Sequence, residues 1–292
     1  MASNASLVSP QWVAGRLNEF QQNDPDLRLV EITGGLPQLP GGHIPGATIL
    51  DLDDEFEVTK NFDMLSRSKY ETVVGKFGIT PESTVVLYSG QKNTSAAYAY
   101  WYFAYFGHDT VCLLDGGKEY WNEMGYPTTN SPSDFDPRRY EVSTGRPEIR
   151  ATITEVERAT NRGDPIISVR DPKEHTGSLI YTLIWATLML RGELSTNAIP
   201  RFIKNSLFSK PHIPGSTNIP LETIVDQDGT LKSVEQLRSI AERNQLSTDQ
   251  DIVLYCAAGY RSSLFWFVLS ELLGFDSVKN YTGSWVEWGS RR

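Results

Sequence analysis

Short apolar runs alternate with amphipathic stretches along this chain, and the alternation is made twice. In each half an amphipathic helix candidate (SPQWVAGRLNEF at 9–20; TITEVERATN at 152–161) leads into a brief apolar run (LRLVEI at 27–32; PIISVR at 165–170). A His-Ile-Pro-Gly turn follows, and later a second apolar run, VVLY at 85–88 or IVLY at 252–255. Each VLY run is followed by another helix candidate ending near Gly107 or Gly274, then by a strand candidate (TVCLL at 110–114; SVKNY at 277–281). Continuous apolar runs between helical patterns predict βαβ units, hence α/β architecture with parallel sheets and helices on both faces.

The two halves are copies. HIPGA at 43–47 and HIPGS at 212–216 are offset by 212 − 43 = 169, and Ser89, Gly107, Gly116 and Trp121 match Cys256, Gly274, Gly283 and Trp288 at a constant 167. Landmarks in one order mark an internal duplication. Between the copies, TTNSPSDFDPRRYEVSTGRPEIR is polar and rich in Pro and Ser, as a linker is. The predicted division is therefore a first domain over 1–130, a linker over 131–148 and a second domain over 149–292.

Composition narrows the classes. The chain of 292 residues has 39% hydrophobic and 22% charged residues, and no apolar stretch long enough to span a bilayer. A net charge of −9 argues against a nucleic-acid partner, which needs a basic face. The N-terminus MASNASLVSPQW shows no basic region followed by an apolar one, and two cysteines make no disulfide framework, so a reducing, cytoplasmic setting is expected.

The chemistry gathers at one of those cysteines. Cys256 follows IVLY directly, at the C-terminal end of a predicted parallel strand, where open α/β sheets bind ligands. Ala257, Ala258 and Gly259 are small enough for successive amides to turn inward, and a helix is expected to start near Ser262. With the Arg261 charge at the rim, the loop favours thiolate over thiol, below the free value of about 8.5. Cys112, inside VCLL, is expected to be a buried and inert core residue.

The HIPGA/HIPGS pair, the CAAGYR loop at 256–261, GSWVEW at 283–288, LVSPQWVA at 7–14 and LLDGGKEYW at 113–121 together resemble the tandem-domain rhodanese family, the thiosulfate and 3-mercaptopyruvate sulfurtransferases. The resemblance covers nearly the whole chain. It implies two tandem rhodanese-like domains, each a doubly wound parallel sheet, the first inert with Ser89 at the cysteine position and the second catalytic. It further implies that the Cys256 thiolate takes a sulfane sulfur from a small donor, holds it as a persulfide, and yields it to cyanide or a thiol, with no metal or organic cofactor. The amides of Ala257, Ala258, Gly259, Tyr260 and Arg261 would then surround the outer sulfur. Arg170 and His43 are the remaining candidates for substrate contact, each with a structural alternative, and His212 is read as tying down its turn.

The match has departures. Tandem members usually carry C-R-K-G-V-T or C-G-S-G-V-T, whereas CAAGYR has the C-x-x-G-x-R form of single-domain rhodaneses. In VRDPKEHTG at 169–177, Glu174 stands about where the family has an arginine for the mercaptopyruvate carboxylate, so thiosulfate is the expected donor and mercaptopyruvate the alternative. An insertion over about 178–208 contains SLIYTLIWATLML at 178–190, apolar on almost every face. It is expected to pack over the second domain, the alternatives being a homodimer contact or a membrane surface. Two other classes compete: a phosphatase of the related Cdc25 type, disfavoured because its loop is one residue longer, and a non-catalytic sulfur-carrier or binding module.

Overall fold

The computed structural model describes residues 6–34, 41–56, 63–177 and 211–291. The predicted insertion over 178–208, including the apolar run 178–190, lies wholly outside the described residues. The chain divides into two compact units, 1–147 with 225–236, and 148–224 with 237–292.

In the first unit, β1 (Leu7–Val8), β2 (Leu27–Thr33), β3 (Ala47–Asp51), β4 (Thr84–Tyr88) and β5 (Val111–Leu114) form one sheet in the order β1-β5-β4-β2-β3. Every pair is parallel. Strands covered on both faces need apolar residues at successive positions rather than alternate ones, and the VCLL of β5 is buried throughout. The expected opening helix is broken in two, Pro10–Ala14 and Leu17–Phe20. Gly15 caps the first piece with its amide on Gln11 O, and Arg16, at φ −124°, leaves helical geometry before the second begins.

The polar segment expected as a linker is packed onto the first unit. Arg138 N donates to Gly75 O at 2.8 Å and Arg146 N to Tyr105 O at 2.7 Å, while Phe135, Tyr140 and Val142 are buried. Three apolar side chains scattered among polar ones carry no helical or strand period, so the sequence pattern shows a linker where the structure has a strap.

In the second unit, β6 (Ile166–Ser168), β7 (Thr217–Asn218), β8 (Ile252–Tyr255) and β9 (Val278–Asn280) are likewise all parallel, in the order β7-β6-β8-β9. The helix Ile153–Arg162 is bounded as its sequence suggests: Thr152 and Glu155 form a reciprocal capping box, and Gly163 ends it at φ +78°. Both sheets use the His-Ile-Pro-Gly turn alike. Ile44 N donates to the Tyr88 hydroxyl at 3.0 Å and Ile213 N to the Tyr255 hydroxyl at 3.2 Å, fastening each turn to the last residue of a central strand. Among the described residues no helix is long and apolar enough to cross a membrane.

Candidate functional site

Cys256 is the first residue after β8, only 1% exposed, and the helix Tyr260–Phe267 begins four residues later. That start is two residues before the expected one, because Gly259 takes the left-handed conformation (φ +93°, ψ −18°) and turns the chain straight into the helix. The loop is fixed from both sides. Ser262 and Ser263 hydroxyls donate to Gly259 O at 3.0 and 2.8 Å, and Asn280 at the end of β9 donates to Ser263 Oγ at 2.8 Å. From the helix Ser284–Arg291, Trp285 N donates to Cys256 O and Val286 N to Ala257 O, each at 3.1 Å. Ser284 Oγ accepts Cys256 N at 3.1 Å and donates to Tyr281 O at 2.7 Å.

The sulfur faces this loop from inside. Gly259 N donates to Sγ at 3.2 Å, and the Ser262 hydroxyl stands 3.7 Å away. The single Ser262 proton serves either Gly259 O or the sulfur at any moment, and a negative sulfur is the stronger acceptor. Burial pushes the thiol up, but the Arg261 charge, the amide and hydroxyl of Ser262 and the amide of Ala258 outweigh it, so the Cys256 thiol is lowered below its ordinary value. Ala257 and Ala258 are half-buried at the loop's rim, and Tyr260, buried at 7%, opens the helix. By contrast, burial among the strands drives the Cys112 thiol up to about 11.

Arg261 is held by a carboxylate. Its Nη2 lies 2.8 Å from Glu174 Oε2 and its Nη1 3.4 Å from Glu174 Oε1. Arg170 Nε reaches the same Oε2 at 3.3 Å, its Nη1 donates to Pro211 O at 2.8 Å, and its guanidinium lies 5.0 Å from the Trp285 ring centroid. Burial lowers the Arg170 pKa and the Arg261 charge lowers it further, against the opposing pull of Glu174. Burial also disfavours charge on Arg261, but Cys256 and Glu174 prevail and raise its pKa. Glu174 is 8% exposed, a buried anion shared by two guanidiniums.

The structure thus brings Cys256, Ala257, Ala258, Gly259, Tyr260, Arg261 and, through Glu174, Arg170 into one cluster of the second unit. His43 lies in the first unit, where its Nδ1 is 2.8 Å from Glu31 Oε2, beside Tyr88 and Lys118 at 2.7 Å from the same carboxylate. His212 Nδ1 donates to His175 O, 3.1 Å away, and its ring stacks on that of His175 at 4.3 Å. Sequence reasoning missed Glu174 as the partner of Arg261, and missed Ser262, Asn280 and Ser284 as supports of the loop. Only Ser284 had a visible signal, since it sits in GSWVEW next to the repeated glycine.

A duplicated parallel α/β unit with a lowered cysteine in a left-handed strand-to-helix loop defines a class, and the chain belongs to it: the rhodanese-like domain family matches residues 10–124 and 152–291. Among particular relatives, a Haloferax volcanii protein named "Putative thiosulfate sulfurtransferase" is 37% identical over 284 residues, covering 97% of this chain and 93% of that one. The "Sulfur carrier protein TtuD" of Thermus thermophilus is 36% identical over 288 residues, with 97% and 93% covered. The crystal structure of SseA from Escherichia coli, a 3-mercaptopyruvate sulfotransferase, superimposes with a TM-score of 0.71 at 21% identity, over 97% of this chain and 99% of that one. At that identity the likeness speaks for the fold alone.

Proposed function

We propose that the chain is a sulfurtransferase that takes a sulfane sulfur from thiosulfate onto Cys256. The observation that carries this reading is the lowered, amide-bound thiol at the mouth of a parallel sheet. The Cys256 thiolate attacks the outer sulfur of thiosulfate; the Cys–S bond forms as the sulfur–sulfur bond to sulfite breaks, and sulfite leaves with the bonding pair. A deprotonated persulfide remains, its charge met by the amides of Ala257, Ala258, Gly259 and Tyr260 and by Arg261. Cyanide or a thiolate then attacks the outer sulfur, and the Cys256 thiolate departs.

Glu174 supports thiosulfate over mercaptopyruvate. It occupies N–H groups of both nearby arginines, so among the described residues of this cluster neither guanidinium is left as a free two-pronged partner for a carboxylate. Arg170, tied to Glu174 and Pro211 O, serves to position Arg261, and His43 to hold its turn on Glu31.

Mass spectrometry after incubation with thiosulfate should show Cys256 heavier by one sulfur atom, and dithiothreitol should remove it. A second reading, a sulfur carrier, is favoured by the Thermus thermophilus relative's name: the persulfide would form equally but pass to a protein acceptor faster than to cyanide. No adduct on Cys256 would defeat both, and a kcat/KM a hundredfold higher for mercaptopyruvate would overturn the choice of donor.

A further inference from the structure

The equivalence of the two loops reaches past Ser89 and Cys256 to the helix beside each. Lys118 N donates to Ser89 O at 2.9 Å as Trp285 N donates to Cys256 O at 3.1 Å. Immediately before them, Gly117 (φ +58°) and Ser284 (φ +49°) share the left-handed conformation. These marks, and the constant offset 286 − 119 = 167, superimpose the next residues, Glu119 and Val286. In the first unit, the amides of Gln91 and Lys92 both donate to Glu119 Oε1, the second at 3.3 Å. The residues at the same offset in the second unit are Ala258 and Gly259, and there the amides turn to Cys256 Sγ, Gly259 N at 3.2 Å. One pair of amide positions holds an anion in each copy: a side-chain carboxylate in the first, the reactive sulfur in the second.

Resting on the sulfurtransferase reading, we propose that residue 286 sets the availability of the catalytic loop: its valine leaves the amides of Ala258 and Gly259 to the Cys256 thiolate and to the outer persulfide sulfur, and a carboxylate there would close the loop as Glu119 closes its counterpart. Val286 is half-buried and has no polar atom with which to compete for an N–H. A carboxylate would take the donors and also set a negative charge beside the thiolate and in the path of an anionic donor. In the first unit Glu119 Oε2 is itself buried without a hydrogen-bond partner, so those loop amides are what hold its carboxylate group. Val286 is thus a positioning residue, acting through the loop and not on the substrate.

The test compares Val286→Glu, Val286→Gln and Val286→Leu by the pH dependence of Cys256 alkylation with iodoacetamide. Val286→Glu should slow alkylation at neutral pH at least tenfold more than either neutral variant, with its profile displaced to higher pH. A wild-type profile in Val286→Glu, or equal losses in all three, would overturn the proposal, the latter by showing a steric effect. In the first unit, Glu119→Ala should let sulfate shift the backbone 15N–1H signals of Gln91 and Lys92 saturably, and unmoved signals would refute the view that Glu119 fills an anion cradle. Neither readout involves sulfur transfer. A chain that catalyses some other thiolate reaction would therefore give the same result, and an inactive one would leave it intact.

Discussion

Replacing Arg261 by alanine isolates the largest charge acting on the thiol. In the wild-type protein the Cys256 sulfur is stabilised as an anion by Arg261, Ser262 and the loop amides against the penalty of burial. The substitution removes the charge and leaves the amide of Gly259 at 3.2 Å in place. It should not collapse the fold, because Glu174 retains Arg170 at 3.3 Å as counter-ion. What is lost is one charge-assisted interaction in a buried setting, roughly 1.5–3 kcal/mol. At about 1.4 kcal/mol per tenfold, thiolate-dependent alkylation at neutral pH should fall by roughly 10- to 150-fold. The assay is the iodoacetamide rate across pH: the profile should move to higher pH and recover at its alkaline plateau. Arg261→Lys, which keeps the charge but not the fork, should fall between the two. A profile superimposable on wild type, with the protein folded, would refute the assignment of Arg261 as the thiolate's counter-charge.

Cys256→Ser should abolish persulfide formation, whereas Cys112→Ser should leave it intact, because burial holds the Cys112 thiol at about 11 and protonated at neutral pH; peptide mapping of the adduct distinguishes them. Glu174→Gln should destabilise the second unit by about 3–5 kcal/mol, since the buried Arg170 would lose the carboxylate it faces and Arg261 would keep only the Cys256 sulfur, in a site where Glu174 is 8% exposed, and urea titration would register the loss. His175 is held down to about 4 by burial, by His212 and by Arg170. A base lowered on folding binds fewer protons than in the unfolded chain, so stability should decline as pH falls from about 6.5 to about 4 and level off below. The side chain is half-buried, which limits the loss to about 1 kcal/mol after solvent screening. His175→Phe should flatten that part of the urea midpoint against pH, and an unchanged slope would contradict it.

The repeat, the parallel sheets and the position of the cysteine were legible because they rest on local pattern. VVLY and IVLY are apolar runs that only a strand covered on both faces requires, and the glycines after them punctuate the chain at a fixed distance. Strands of two residues, Leu7–Val8 and Thr217–Asn218, are too short to show any period and exist through their neighbours. The support of the thiol was hidden for a different reason. Glu174 and Arg261 are 87 positions apart, and Cys256 and Ser284 are 28 apart; nothing local tells a carboxylate or a hydroxyl which distant group it will meet. Glu174 was visible as a departure from the family pattern, and its meaning came only with its partners.

The two units are not contiguous in sequence: residues 225–236, from the second copy, belong with the first unit, where Leu231 N donates to Asp115 Oδ1 at 3.0 Å. The chain thus passes from one unit to the other at 147/148, returns at 224/225 and leaves again at 236/237. A duplication that began as two copies end to end has become a molecule that cannot be cut at one point into two whole parts. A gene truncated at the repeat boundary would encode a first fragment missing a piece of its own surface and a second carrying a displaced one. The loss of divisibility binds the inheritance of the serine-bearing copy to that of the cysteine-bearing one.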